Sequence, residues 1–367
     1  ALTARDETAY VSRAVYRLPL NLDVDKYQQA WELLARRQTI MRTRIIYSSI
    51  ATQSFQVVMH EGIAWQSGDS VEAYLAADKM TPMHHGQALM RFALLPGTTQ
   101  DPRPSLVHTA HHAVYDGWSE AAMFDEAEAI YRHGLAALPP VVPYNKFIHY
   151  LSSVDATARD SFWRTQLDGD LPAPFPPPPL ATTASSLIPR PNRSQSYAIS
   201  LPLRSSTSSF PFSAPTILKA AWALLLERYT LSEDVIFGHV LSGRTVPLRG
   251  VADMMGPTIA TVPVRVRLIK EDNIDSFLRR IHDQAQAMTP FEQVGLQHIR
   301  RLLPASESID VGHLFFVQPP LDAPAADLGL EAITDADLNF DTYPLIVECQ
   351  LGTNADLNVE VKYDDAR

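Results

Sequence analysis

The chain has 367 residues, 46% of them apolar and 20% charged, with a formal net charge of −10. That is the balance of a globular protein with material for two cores rather than one. The acidic surface offers nothing to a phosphate backbone, and no apolar run approaches the roughly 20 residues a bilayer span needs, so nucleic-acid and membrane-embedded classes are disfavoured. Cys349 is the sole cysteine, which excludes an internal disulfide and a thiolate zinc cluster. Its setting in PLIVECQL reads as core packing. The opening residues ALTARDETAY lack the pattern of a secretory leader, and a cytosolic location is expected.

In chain order, the first expected element is a strand in YVSRAVYRLPL, where Val11, Arg13, Val15 and Arg17 alternate with their neighbours. DVDKYQQAWELLARRQ follows as a helix, with Val24, Tyr27, Trp31 and Leu34 on one face, an Asp at the entrance, and Arg36 and Arg37 at the exit. RTRIIYSSI and SFQVVM read as strands. PSLVHTAHH has the alternation of another strand, and WSEAAMFDEAEAIYRHG has helical spacing at Ala121, Phe124 and Tyr131, stopping at Gly134. The proline-rich stretch 171–192 can supply neither sheet hydrogen bonds nor a core. It is expected to join an N-terminal lobe, 1–165, to a C-terminal lobe, 166–367.

The second half keeps the mixed character, which argues for α+β lobes. Helices are expected at APTILKAAWALLLERY and IDSFLRRIHDQAQAM. Strands are expected at VIFGHVLS, IATVPVRVRL, GHLFFVQP, PLIVECQL and LNVEVKY.

The strongest chemical signal is HHAVYDGWS, residues 111–119. Adjacent histidines at a strand end point to opposite faces, so one of them can look into a given cleft. Asp116 can hold the turn, and Gly117 can adopt positive φ or admit a substrate to its backbone. A metal site is the rival reading, since His108, His111, His112 and Asp116 lie close in sequence, but strand alternation scatters the imidazoles. His84 and His85 read as loop residues. Trp118 reads as core and Ser119 as a helix cap. No GxSxG elbow points to a serine hydrolase.

HHAVYDGWS resembles the HHxxxDG signature of the condensation domains of nonribosomal peptide synthetases, a superfamily that includes chloramphenicol acetyltransferase. ARRQTIMRTR resembles the family's early arginine-rich motif, and PYNKFIHYL the motif after the active-site helix. DVIFGHVLSGR, MMGPTIATVPVRVRL, TPFEQVGLQHI and GHLFFVQPP resemble later motifs in the expected order, so the likeness spans nearly the whole chain and has a fungal wording. Gln38 departs from the acidic residue or histidine common at its position, and the family's opening motif and closing helix are absent.

The resemblance implies two chloramphenicol acetyltransferase-like α+β lobes in a V-shaped pseudo-dimer with a central tunnel. Phosphopantetheine arms of donor and acceptor peptidyl carrier domains would enter it, with an adenylation domain nearby and no metal. His112 maps to the residue nearest the reacting atoms. Gly117 is a candidate amide donor to the oxyanion, or a turn glycine only. His111 and Asp116 are expected to support the site, with Arg244 pairing to Asp116. The implied reaction is amide-bond formation between carrier-bound thioesters. Terminal macrocyclisation, epimerisation, transfer from coenzyme A and a non-catalytic recruitment module stay open beside it.

Overall fold

The computed structural model describes residues 10–51, 53–177, 191–200, 211–304, 309, 311–319, 328–334, 343–352 and 356–365. In chain order the elements are β1 (Val11–Arg17), α1 (Val24–Arg37), β2 (Thr43–Ser48), β3 (Gln53–Val58), β4 (Trp65–Gln66), α2 (Val71–Lys79), β5 (Met90–Leu95), β6 (Ser105–His111) and α3 (Gly117–His133). Next come α4 (Asn145–Ser153), α5 (Ala156–Gln166), β7 (Arg193–Ser200), α6 (Ala214–Thr230), β8 (Asp234–Leu241), β9 (Ala260–Arg267), α7 (Ile274–Met288) and α8 (Leu296–Leu302). β10 (Leu314–Gln318), β11 (Glu331–Thr334), β12 (Leu345–Leu351) and β13 (Asp356–Tyr363) complete the chain. The α+β class expected from the sequence is the one observed.

The chain divides into two compact units. The first comprises Ala1–His149 with Leu248–Pro257 and Asp322–Asp341; the second comprises Tyr150–Pro247, Thr258–Leu321 and Thr342–Arg367. Within the stretch 171–192, residues 178–190 lie outside the described residues.

The first unit is built on a five-stranded sheet of order β11-β1-β6-β5-β4, antiparallel except for the β4–β5 pair. β6 was expected to alternate, yet every one of its residues is buried. The reason is its central place, with helices over both faces, where a strand needs apolar or satisfied side chains throughout. Ala14, His108 and Phe92 share one register across β1, β6 and β5, as do Arg13, Thr109 and Arg91 one residue along. The first row faces the aromatic contacts of Trp31 on α1 and Phe124 on α3. The second row meets Asp78 of α2, beside a small core of Val15, Tyr74, Ala93, Leu95 and Val107.

α1 buries Tyr27, Ala30, Trp31, Leu34 and Ala35, with Asp23 capping it through the Lys26 amide at 3.0 Å. This is the amphipathic face read from the sequence. On α3 the buried face is Met123, Ala127 and Ile130 rather than Ala121, which is exposed; Phe124 and Tyr131 are half-buried in ring contacts. β2 and β3 form a separate antiparallel hairpin.

The second unit holds a six-stranded sheet of order β7-β13-β12-β10-β8-β9, in which β10 runs parallel to both neighbours and the other pairs are antiparallel. Phe237, Val264, Phe315 and Val347 from its strands pack with Trp163 of α5, Ala223 and Leu226 of α6, Ile281 of α7 and Ile299 of α8. Cys349 sits in this core, where burial pushes its thiol up to about 11, so it is packing rather than a nucleophile. Among the described residues, no helix is long and apolar enough to cross a membrane.

Candidate active site

The turn from β6 into α3 is fixed by its backbone. The His111 amide donates to the Leu89 carbonyl at 2.9 Å, the His112 amide to the Tyr10 carbonyl at 2.8 Å, and the Val114 amide to the His111 carbonyl at 3.1 Å. His111 is buried, and its Nδ1 accepts the Ala113 amide at 3.0 Å. An amide can only donate, so Nδ1 is bare and the neutral ring carries its proton on Nε2. Burial, with His112 beside it, lowers the His111 pKa to about 4 and keeps the ring neutral.

His112 is in the opposite tautomer. Its Nδ1 lies 3.2 Å from the Tyr115 carbonyl oxygen, which can only accept. Nδ1 therefore carries the proton, and Nε2 of the neutral ring presents a lone pair. The ring stacks on Tyr115, with centroids 4.4 Å apart and planes 20° from parallel. Burial holds the His112 pKa below its ordinary value; Glu120, the Tyr115 carbonyl and Asp116 act in the other direction. Near neutral pH this is an unprotonated, oriented imidazole, the state a general base needs.

Asp116 is 3% exposed and caps α3. Its Oδ1 accepts the Ser119 amide at 2.8 Å, while the Ser119 hydroxyl accepts the Asp116 amide at 2.9 Å. Asp116 is thus the cap, and Ser119, read from sequence as the cap, is its partner three residues on. Gly117 does not take positive φ. It opens α3 in ordinary geometry, and a Cβ there meets nothing within 4 Å. A side chain would thus fit here, and what the position offers is a backbone amide at the positive end of a 17-residue helix.

Trp118 corrects a sequence expectation. It is 49% exposed rather than core, because its place in the first turn of α3 lies away from the Met123–Ala127–Ile130 face. Its Nε1 donates to the Ala252 carbonyl at 3.0 Å, fastening Leu248–Pro257 to the head of the helix. Gln38, the departure in the early motif, is buried and donates to the Glu126 carboxylate at 3.0 Å. His84 and His85 lie in a loop, as expected.

Arg244 stands just after β8 in the second unit. The turn before it is pinned: Gly243 has φ +68°, and a Cβ there would collide with the Thr258 carbonyl and the Gln293 amide. Thr258 Oγ1 donates to the Ser242 carbonyl at 2.6 Å, and Gln293 Nε2 to the Thr258 carbonyl at 2.7 Å. Among the described residues no group of His, Cys, Asp and Glu could hold a metal ion. His108, counted with the motif histidines in the metal reading, instead lies in the α1–α3 aromatic layer with Nδ1 3.2 Å from Glu120 Oε1. Sequence reasoning missed Tyr115, the plate under His112, and Glu120, whose only signal was an acidic residue in the first turn of a helix.

The condensation-domain family model matches residues 1–367. Over all of its length the chain is 39% identical to the nonribosomal peptide synthetase ecdA of Aspergillus rugulosus, of which it covers 5%. It is 38% identical to the synthetase gloA of Glarea lozoyensis, again covering 5% of that protein. The chain spans only a small part of the curated relatives it matches. Among solved structures it is similar to the starter condensation domain of rhizomide synthetase RzmA, with TM-score 0.72 at 15% identity over 98% of this chain and 86% of that one. A structure described as CT gives TM-score 0.72 at 20% identity over 98% of this chain and 83% of the other. With the signature turn, the fold and the full-length family match in agreement, this chain belongs to the condensation domains of nonribosomal peptide synthetases.

Proposed function

We propose that the domain forms an amide bond between a donor acyl or peptidyl thioester and the free amine of an acceptor aminoacyl thioester, each on the phosphopantetheine arm of a peptidyl carrier domain. The observation that carries this reading is the tautomer of His112: Nδ1–H is committed to the Tyr115 carbonyl, which leaves Nε2 as a base. The acceptor amine attacks the donor carbonyl carbon; the new C–N bond forms as the carbonyl becomes an oxyanion. Nε2 takes the proton that the nitrogen must lose. The C–S bond then breaks, and the proton passes to the departing thiolate. No redox partner is needed.

An α-amino group with pKa near 8 is about one-tenth neutral at pH 7, so a base that keeps it neutral or collects its proton is useful. General base catalysis of this kind contributes about 10²–10⁴ in rate, and positioning supplies much of the rest because a thioester is already activated. Gly117 is assigned to the oxyanion because its amide heads α3, where the helix dipole is positive. His111 and Asp116 are assigned to support, His111 through the Ala113 amide and Asp116 through the α3 cap. Arg244 is assigned to support as the partner of Asp116, on the resemblance. A neighbouring adenylation domain and a cytosolic setting complete the proposal.

The test is product formation, read by intact-protein mass spectrometry, from one donor-loaded and one acceptor-loaded carrier protein. Transfer of the donor mass onto the acceptor carrier with the native chain, and its loss in His112→Ala, is the expected result. A cyclic product from a lone peptidyl carrier would replace condensation by terminal cyclisation. No transfer by folded protein over a range of verified substrates would leave recruitment as the reading.

A further inference from the structure

Beneath the His112–Tyr115 stack lies a second histidine that the proposed reaction does not use. His108 is wholly buried among rings: Phe92 at 4.8 Å, Phe124 at 6.2 Å, Tyr115 at 6.3 Å and Trp31 at 6.4 Å. Its Nδ1 lies 3.2 Å from Glu120 Oε1, and its Nε2 is buried without a hydrogen-bond partner. A carboxylate oxygen can only accept, so the proton of this contact sits on His108 Nδ1 and is donated to Glu120. The bond holds the carboxylate in place.

Glu120 sits in the first turn of α3, where the helix dipole favours negative charge. The charges that act on His112 are those of Glu120 in the first turn of α3, Asp116 at its cap and His111 on β6, while the ring and carbonyl of Tyr115 touch it and the Tyr10 carbonyl holds its backbone amide. Asp116 spends an oxygen on the Ser119 amide, and His111 is neutral.

We propose that Glu120, clamped by His108, is a positioning residue of the site, supplying the fixed negative charge against which the His112 imidazole takes up the proton of the attacking amine. The direction of the field agrees: Glu120 is the strongest charge favouring protonated His112, ahead of Asp116, and it also pushes up the phenols of Tyr115 and Tyr16. The role rests on the reading of His112 as base, but the charge effect on the ring can be read without any reaction.

The experiment is a histidine NMR titration of the 367-residue chain, with the His112 signal identified by its loss in His112→Ala. Glu120→Gln keeps an oxygen for the His108 Nδ1–H and removes only the charge. Its His112 midpoint is expected to move to lower pH, and Glu120→Asp, which keeps the charge, to restore most of the shift. His108→Phe, which fills the cage and releases the clamp, is expected to move the midpoint the same way by less, and it serves if Glu120→Gln does not fold. A midpoint unchanged in folded Glu120→Gln, or moved equally by Glu120→Asp, overturns the proposal. Where transfer is observed, the acid limb of its pH–rate profile should follow the NMR midpoint. If the native chain transfers nothing while the midpoint still moves, the charge assignment stands and the reading of His112 as base in condensation falls.

Discussion

The Tyr115 hydroxyl donates to Ser12 Oγ at 2.6 Å, tying the ring under His112 to strand β1. Both groups are buried, so the bond orients a plate that touches the candidate base on one face. Tyr115→Phe keeps the plate and removes the tie. A net hydrogen bond is worth about 0.5–1.5 kcal/mol, so a small loss of stability is expected, with the His112 Nδ1–H still on the residue 115 carbonyl. Tyr115→Ala removes the plate itself and should cost about 3–5 kcal/mol by the rule for large-to-small aromatic changes. Urea denaturation of both variants checks this; a Tyr115→Phe cost as large as that of Tyr115→Ala would show that the ring is not what matters.

The opposite face of the first-unit sheet supplies an ion network. Asp78 accepts Arg13 Nε at 2.7 Å, Arg91 Nε at 2.8 Å and Thr109 Oγ1 at 3.2 Å, all largely out of water. Arg13, Thr109 and Arg91 are register partners on β1, β6 and β5, so one carboxylate from α2 clasps three adjacent strands. Asp78→Asn keeps the shape and strands two guanidinium charges. Removing one partner of a buried pair costs about 3–5 kcal/mol, and a loss of that order is expected in chemical denaturation. A loss under about 1 kcal/mol would mean that water reaches the cluster and screens it.

Asp116 has one duty visible in its own unit, the α3 cap, and a second assigned by resemblance, toward Arg244. Cap removal alone costs about 0.5–2 kcal/mol. A double-mutant cycle of Asp116→Asn and Arg244→Gln separates the two duties. Coupling above about 0.5 kcal/mol is expected, whereas additive effects within that error would confine Asp116 to the cap.

How much of this was legible in the sequence depends on which force decides each element. α1 was readable because cap, charge bias and apolar period all agree, with Asp23, Arg36 and Arg37 bracketing it; α7 kept its Asn273 cap and Asp275, and α6 its proline in the first turn and Arg228 in the last. β5 and β7 were not anticipated. MRFALL has little alternation because it lies beside the buried β6, and RSQSYAIS is exposed at every residue, so its strand state comes from pairing with β13 rather than from burial. β11 was invisible for the same reason: it is four residues long and defined by pairing with β1 across more than 300 residues of chain. At the turn from β6 into α3, the motif singled out His111, His112, Asp116 and Gly117 as candidates. The tautomers, the Tyr115 stack and the His108–Glu120 clamp depend on which face each side chain takes, and a string of letters does not carry that.

The same burial that sets tautomers makes stability depend on pH. His111 and His313 are lowered to about 4 and His239 to about 3, each chiefly by burial. Their bonds explain why they stay neutral: His313 donates from Nδ1 to the Phe175 carbonyl and accepts Trp222 Nε1–H at 3.0 Å on Nε2, and His239 donates to the Phe315 carbonyl at 2.9 Å. Between the ordinary value of 6.5 and these lowered values, the unfolded chain binds protons that the folded chain refuses. Stability therefore falls as pH drops through that window, by about 1.4 kcal/mol per pH unit for each proton. Glu292 opposes them. Burial raises its carboxyl to about 7, so the folded form holds a proton that the unfolded form releases above its ordinary 4.5. His111, His313 and His239, with His112 lowered beside them, outweigh the raised carboxyls of Glu292 and Asp125, so a net loss of stability is expected on going from pH 6.5 to 5, measurable as a falling urea midpoint. His313→Gln, which keeps a donor but cannot titrate, should flatten the slope, and a midpoint that stays level or rises on acidification would show that Glu292 outweighs the histidines.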